Sequence, residues 1–276
     1  MNAQRCRRTQ APYRPPRQCN AHDRGGDARL KGQLAQKGQN VNHGIPNGAD
    51  HVTWLDIGAE IARRGSLERL KMHRNSVALV GVSLTTLYQA ATCHRECHGG
   101  PHILEAFCGR AYNLAAAAIH LGKFGFYDEA FNLIRGVGEI ANIVFLSVRK
   151  PEQFQIWLNA DDKTRRNKYG PGWVRKQLDT DGEYPLVANY EWYSALSENT
   201  HVNPGTRPNY HNDERRRMCG GIFQKKGLDE VMNTLGEILV YLALFITRFF
   251  KFDDLFEELC ELTRGKEGPG QASNIN

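Results

Sequence analysis

The chain has 276 residues, of which 41% are hydrophobic and 24% are charged, so it can form a packed core. This composition excludes a collagen-like chain and a wholly disordered one. The formal net charge of +6 comes entirely from residues 1–50, which carry nine basic and three acidic residues, whereas residues 51–276 are neutral overall. The neutral part has no general positive field that would attract nucleic acid.

Cysteine usage and apolar patterning predict a cytoplasmic protein with no membrane contact. The seven cysteines are irregularly spaced in a chain large enough to fold without disulfides, which favours a reducing compartment. The first residues are rich in arginine, and no apolar stretch typical of a signal peptide follows them. The longest apolar run, 238–247, is about half of the roughly 20 residues that cross a membrane, so we interpret it as a buried helix.

Composition divides the chain into three parts. Residues 1–50 are predicted to form a disordered basic tail, because they contain much Arg, Gln, Pro and Gly and few large aliphatic side chains. The arginine-rich stretch 5–17 could bind RNA or an acidic surface, and the alternative is an extension without a function. Residues 51–264 are predicted to form a helical bundle, and residues 265–276 a frayed C-terminal tail.

Apolar residues at intervals of three and four predict an all-α fold for the central part. In chain order the predicted helices cover 54–64, 66–98, 104–121, 130–148, 151–157, 184–199, 228–251 and 253–263, and loops cover 161–183, with a short piece at 173–178, and 205–227. Ser66 is predicted to cap the second helix. Gly122 and Gly125 mark a tight turn, so the third and fourth helices are predicted to form a long antiparallel hairpin.

A group of cysteines and histidines lies near the end of the second predicted helix. It runs from Cys93 to His98, and His102 follows it closely. Thiolate and imidazole are good zinc ligands, and His94 and His98 are four residues apart on one helix face. The zinc hypothesis assigns His94, Cys97 and His98 as ligands. The alternative is a helix end that packs its imidazoles against neighbouring side chains.

Polar residues recur on both helices of the predicted hairpin. Arg110 and Asn113 share a stripe of the first helix, and Arg135 and Glu139 share a stripe of the second. Antiparallel pairing would place Asn113 near Glu139. This arrangement favours either a polar pocket for binding or proton transfer, or a solvated face with an ordinary ion pair.

A third group follows in the helix predicted at 184–199. Tyr193 and Ser197 share one face, and His201 lies just beyond the helix end. A histidine there is either a general acid or base, or a cap that interacts with the helix dipole. The loop that follows carries basic residues at Arg215, Arg216 and Arg217, which could contact phosphate or simply be solvated.

Two of these patterns together resemble a known group of proteins. The patterns are R-x-x-x-E, formed by Arg135 and Glu139, and Y-x-x-L-S-x-x-x-H-x-x-P, which begins at Tyr193. Over roughly residues 66–250 the sequence resembles a group of uncharacterised bacterial all-helical proteins, and in outline HEPN-type bundles of abortive-infection and toxin systems. Some HEPN proteins are RNases. The resemblance implies a helical bundle and roles for Arg135, Glu139, Tyr193, Ser197 and His201.

The sequence leaves three functions open. The leading hypothesis is a helical protein without a cofactor that binds a ligand or a protein partner in a bacterial defence or regulatory system. The first alternative is an RNA-cleaving enzyme that uses His201 as acid or base, with arginines holding the phosphate. The second alternative is a zinc protein. Aromatic residues of the 228–251 helix, including Tyr241, Phe249 and Phe250, would either support a homodimer or pack in the core.

Overall fold

A computed structural model of the chain describes residues 51–97, 99–179, 186–198 and 220–264. These residues form ten helices and no strand, which confirms the predicted all-α multi-helix bundle. The helices are α1 (His51–Leu70), α2 (Arg74–Ala91), α3 (Ile103–Lys123), α4 (Tyr127–Arg149), α5 (Pro151–Asn159), α6 (Asp162–Lys168), α7 (Pro171–Asp179), α8 (Tyr190–Glu198), α9 (Lys225–Phe250) and α10 (Asp253–Arg264). The predicted tails at 1–50 and 265–276 lie outside the described residues.

The predicted hairpin is formed by α3 and α4. Small side chains at Ala111, Ala115 and Ala118 are fully buried in α3, which lets the two backbones approach closely. Between the helices Gly125 has a φ of +83°, a conformation that glycine adopts without steric cost. A side chain there would also collide with the Ile222 backbone, since an added Cβ would lie 2.4 Å from the Ile222 nitrogen.

Helix α9 is the core helix of the bundle. It packs against α2, α3 and α4, and α10 covers part of α2 and α9. Two of the described helices, α4 and α9, are long and apolar enough to cross a membrane by length and composition. In this structure 61% of the most apolar stretch of α9 is buried, as in the core helix of a bundle. The cytoplasmic location stays a prediction.

The aromatic residues of α9 divide between core and surface. Phe250 is buried, with 6% of its surface exposed, and Phe245 packs edge-on against Phe145 with the ring centroids 5.7 Å apart. Tyr241 and Phe249 remain half exposed. Part of the set therefore packs in the core, and the homodimer stays a prediction.

The start of the bundle differs from the prediction. Ser66 does not cap a helix: it lies inside α1, is fully buried, and its Oγ donates a hydrogen bond to the Lys123 carbonyl at 2.9 Å. The helix break falls instead at 71–73, and α2 ends at Ala91 rather than near residue 98. Cys93 has a φ of +49°, a conformation that a helix cannot contain. Ser66 therefore joins α1 to the end of α3.

Two helices occupy the segment 161–183. The short piece predicted at 173–178 is confirmed as part of α7, which begins at Pro171, whereas α6 lies where a loop was predicted. Asp161 caps α6 through a hydrogen bond from the Thr164 N–H at 2.9 Å. Val174 and Leu178 anchor α7 in a small apolar cluster that includes Phe154 of α5. These helices have seven and nine residues, too short to give a clear apolar period.

Helix α8 begins later than predicted, at Tyr190 rather than near residue 184. The side chain of Asn189 accepts a hydrogen bond from the Trp192 N–H at 2.9 Å and so caps the helix. Tyr193 and Ser197 lie within this helix, so their shared face is confirmed. The cap displaces the helix start, and the described part of α8 packs against α4.

Gly138 of α4 is required for this contact. A Cβ added there would lie 2.5 Å from the Trp192 ring and 3.1 Å from the Ala188 Cβ, whereas one added at Gly81 of α2 would meet nothing within 4 Å. We expect Gly138→Ala to lower the free energy of unfolding by about 1–3 kcal/mol through overpacking. Gly81→Ala should raise it by about 0.5–1 kcal/mol through helix propensity. Urea denaturation measures both, and equal effects would show that α8 does not pack on Gly138.

Candidate functional site

A pocket of about 230 Å³ lies among the helices α4 to α7. Its floor is α4, and its walls are α5, α6 and the start of α7. The lining side chains and backbone belong to Glu139, Asn142, Ile143, Trp157, Arg165, Arg166, Tyr169, Gly170, Pro171 and Val174. Carboxylate, amide, guanidinium and aromatic groups thus converge on one concave surface, which is typical of ligand sites.

The floor of this pocket contains an amide whose orientation is fixed. Asn142 is 3% exposed, and its Nδ2 donates a hydrogen bond to the Ala188 carbonyl at 3.0 Å. Since a carbonyl accepts only from the amide nitrogen, Oδ1 must point the other way. Within the part of the chain that the structure describes, this buried Oδ1 has no hydrogen-bond partner. A buried acceptor without a donor costs roughly 1–3 kcal/mol, so this oxygen can accept a hydrogen bond from a bound water or a ligand.

Three of the residues predicted from the sequence meet beside this floor. The Nε of Arg135 lies 3.6 Å from an oxygen of Glu139 within α4. The guanidinium of Arg135 also lies over the Tyr193 ring of α8, at 5.3 Å from the ring centroid. The structure therefore places Arg135, Glu139 and Tyr193 in one cluster, with Glu139 on the pocket wall.

Arg175 of α7 is a fourth member that the sequence analysis missed. Its guanidinium stacks on the Tyr193 ring at 4.0 Å from the centroid, and the residue is only 8% exposed. Arg175 lies in the short piece predicted at 173–178, but a lone arginine in so short a helix carries no periodic signal that points to a site. Two guanidiniums thus contact one aromatic ring, a favourable cation–π arrangement that fixes Tyr193 in place.

The environment of Tyr193 raises the pKa of its phenol. Burial is the largest cause, and the negative charge of Glu139 and a hydrogen bond to it act in the same direction. The positive charges of Arg135 and Arg175 oppose this rise without cancelling it. Tyr193 is therefore a neutral donor near neutral pH, and it directs its hydroxyl to the carboxylate on the pocket wall.

The two arginines of α6 have different roles. Arg165 donates hydrogen bonds to Asp162, at 3.0 Å, and to three carbonyls at the end of α5, those of Trp157, Leu158 and Ala160. Its guanidinium is therefore already paired within the protein. Arg166 is exposed on the pocket lining and can contact a ligand. Trp157 and Tyr169 add aromatic surface to the same lining.

Other predicted binding residues do not join the pocket. Arg110 and Asn113 are exposed on α3, and no polar contact joins Asn113 to Glu139 among the described residues. Asn113 is two residues from both Ala111 and Ala115, about 200° round the helix from the buried stripe. The Oγ of Ser197 donates to the Tyr193 carbonyl at 2.7 Å within α8. His201, Arg215, Arg216 and Arg217 lie outside the described residues.

The cysteine–histidine group is assembled differently from the prediction. Cys93, Cys97 and His102 place their ligand atoms within 4.8 Å of one another. His94 does not join them, and it lines a separate shallow pocket with Tyr88 and Gln89. The helix ends at Ala91, so the four-residue spacing of His94 and His98 no longer places them on a helix face. His98 itself lies outside the described residues.

The pKa of Tyr193 tests the cluster. Glu139 contributes to raising the pKa of Tyr193, so Glu139→Gln should lower that pKa. The positive charges of Arg135 and Arg175 also lower it, and in this variant the charge of Glu139 would no longer oppose them. Glu191→Gln removes the same charge from an exposed position of α8 and should leave the pKa unchanged. NMR titration of ¹³Cζ-labelled tyrosine measures both, with Tyr193→Phe to assign the signal. An unchanged pKa in Glu139→Gln would contradict the contact.

The chain was compared with protein-family models, curated proteins and solved structures. No protein-family model matches the chain, and no curated protein and no solved structure is similar to it. The resemblance to HEPN-type bundles therefore stays a prediction.

Proposed function

We propose that the chain is a helical ligand-binding protein whose pocket among α4 to α7 holds a planar molecule with an amino donor and an anionic group. The observation that carries this proposal is the buried Oδ1 of Asn142, which lacks a donor among the described residues. Amino-substituted nucleotides combine the three required features.

The amino group follows from the acceptors in the pocket. Glu139 contributes a carboxylate to the wall, and Asn142 contributes an amide oxygen to the floor. Both accept hydrogen bonds, and Tyr193 already fixes one side of the carboxylate. A ligand NH₂ group has two hydrogens and can donate to both acceptors at once. Such donation would satisfy the Asn142 oxygen and recover its desolvation cost.

The planar body and the anion follow from the remaining lining. Trp157 and Tyr169 contribute aromatic surface to the lining, against which a flat ring can pack. Arg166 is exposed on the same lining, and a guanidinium pairs well with phosphate or carboxylate. A pocket of about 230 Å³ has room for a base, and Arg166 on the same lining can pair with the phosphate attached to it.

Titration calorimetry with three nucleotides tests this assignment on the full chain. Adenosine monophosphate should bind, whereas inosine monophosphate, which has a carbonyl in place of the amino group, should bind roughly ten- to hundred-fold more weakly. Adenosine, which lacks the phosphate, should also bind more weakly. Equal binding of the two monophosphates would contradict the role of Asn142 and Glu139.

Two asparagines supply a matched pair of variants. Asn142→Ala should abolish the preference for the amino-bearing nucleotide, while Asn113→Ala, on the exposed face of α3, should leave binding unchanged. Glu139→Gln should also reduce the preference for the amino-bearing nucleotide. Its side chain is partly exposed, so the substitution should not disturb the fold. If Asn142→Ala and Asn113→Ala behave alike, the ligand does not use the pocket floor.

The alternative function, RNA cleavage by His201, can be tested on the same purified protein. A binding protein should leave total bacterial RNA intact, both as wild type and as His201→Ala, with or without EDTA. Cleavage by the wild type alone would make His201 catalytic and would replace the binding function with the RNase implied by the HEPN resemblance. EDTA resistance of that cleavage would exclude a metal-dependent nuclease.

A further inference from the structure

We propose that the segment between α2 and α3 is a zinc-binding site in which Cys93, Cys97 and His102 are the ligands and Glu105 orients the histidine. This site is independent of the nucleotide pocket. Its ligand set differs from the one that the sequence predicted, because His102 takes the place of His94. The argument rests on the distances among these side chains and on the backbone that holds them.

One ligand atom of each of the three residues lies within 4.8 Å of the other two. The Sγ of Cys97 lies 3.8 Å from Nε2 of His102, and the Sγ of Cys93 lies 3.8 Å from Nδ1 of the same ring. Zinc binds sulfur at about 2.3 Å and nitrogen at about 2.1 Å, so a tetrahedral site separates a sulfur ligand from a nitrogen ligand by roughly 3.6 Å. Cys97 and Nε2 are close to that separation, and the Cys93 sulfur has to move from the Nδ1 side of the ring toward Nε2 to bind the same ion.

Glu105 provides the carboxylate that zinc-binding histidines commonly have as a partner. It lies in the first turn of α3, is 8% exposed, and its Oε1 is 3.3 Å from Nδ1 of His102. A hydrogen bond from the Nδ1–H to this carboxylate leaves Nε2 free to bind the metal and fixes the ring orientation. The buried carboxylate thus gains a partner, and His102 becomes a better ligand.

The backbone of this segment is shaped for convergence. Cys93 and His102 have φ angles of +49° and +48°, and the only other described residue of this kind besides glycine is Lys251, at the end of α9. Such angles cost energy in residues that carry a Cβ, and they concentrate at functional sites. Gly99 and Gly100 also have positive φ, and they turn the chain back between Cys97 and His102.

The donor set favours zinc among the common metals. Two thiolates and a neutral imidazole are soft or borderline ligands, and zinc accepts them in a tetrahedral arrangement. The two thiolates balance the charge of Zn²⁺, and binding releases their two protons to solvent. Cys97 is exposed, so the fourth position faces water.

The site would join three helices. Arg95 lies between the two cysteines and donates to both carboxylate oxygens of Asp254 in α10, at 2.5 and 2.7 Å. Its guanidinium also lies 4.7 Å from the centroid of the Phe252 ring. Zinc would fix the same segment to the ends of α2 and α3. The ion would therefore connect α2, α3 and α10 at one end of the bundle.

Metal analysis of the full chain tests the site directly. Wild type and Cys260→Ser, which removes a thiol of α10 outside the group, should each hold about one zinc ion per chain. Cys93→Ser, Cys97→Ser and His102→Ala should lose it. A wild-type content well below one ion after purification in zinc-supplemented medium would overturn the proposal, and so would unchanged content in Cys93→Ser.

Cobalt substitution provides a readout that does not depend on how the variants fold. The wild type should show the intense visible bands and the sulfur-to-cobalt band of a tetrahedral thiolate site. Glu105→Gln should retain these bands but bind the metal about 10- to 100-fold more weakly. A cobalt spectrum typical of octahedral oxygen coordination, or equal affinity in Glu105→Gln and Cys260→Ser, would contradict the proposed ligands.

Discussion

The close packing of α4 against its neighbours is the constraint on which the rest of the structure depends. This helix contacts α3 and α9 on its core side and α5, α7 and α8 on the other. Such crowding is compatible with its sequence only because small residues occur where the neighbours are closest. Leu114 of α3 lies against Gly136, and Trp192 of α8 lies against Gly138. A helix surrounded in this way must place its polar side chains in the remaining gaps.

The pocket is one of those gaps. Glu139 and Asn142 line this gap; Asn142 is buried, whereas Glu139 is partly exposed. Burial strengthens their interactions and raises the cost of any polar atom left without a partner. Some of these polar groups have partners: the Arg175 guanidinium stacks on the Tyr193 ring, and Tyr193 interacts with the Glu139 carboxylate. The Asn142 oxygen has no hydrogen-bond donor among the described residues, and this gives the pocket its proposed specificity for a ligand that donates a hydrogen bond.

The cysteine–histidine segment contains strained backbone angles. Helix α2 ends at Ala91, and the chain then adopts left-handed angles at Cys93 and again at His102 before α3 begins. Arg95 holds the middle of this connection against α10. The geometry is thus set from outside the segment, by the salt bridge and by the ends of two helices. Convergence of the sulfurs and the imidazole follows from that external support.

The sequence by itself determined the fold class, the hairpin and the helices α9 and α10, because a period of 3.6 residues is a local property. It also placed Arg135 and Glu139 on one helix stripe and Tyr193 in a separate group, and only the tertiary structure brings the three together. Tertiary structure alone decided that Ser66 bonds Lys123, that Arg175 stacks on Tyr193, and that His102 replaces His94 beside Cys97. These contacts depend on how helices cross and where short caps begin, and local periodicity carries no information about either.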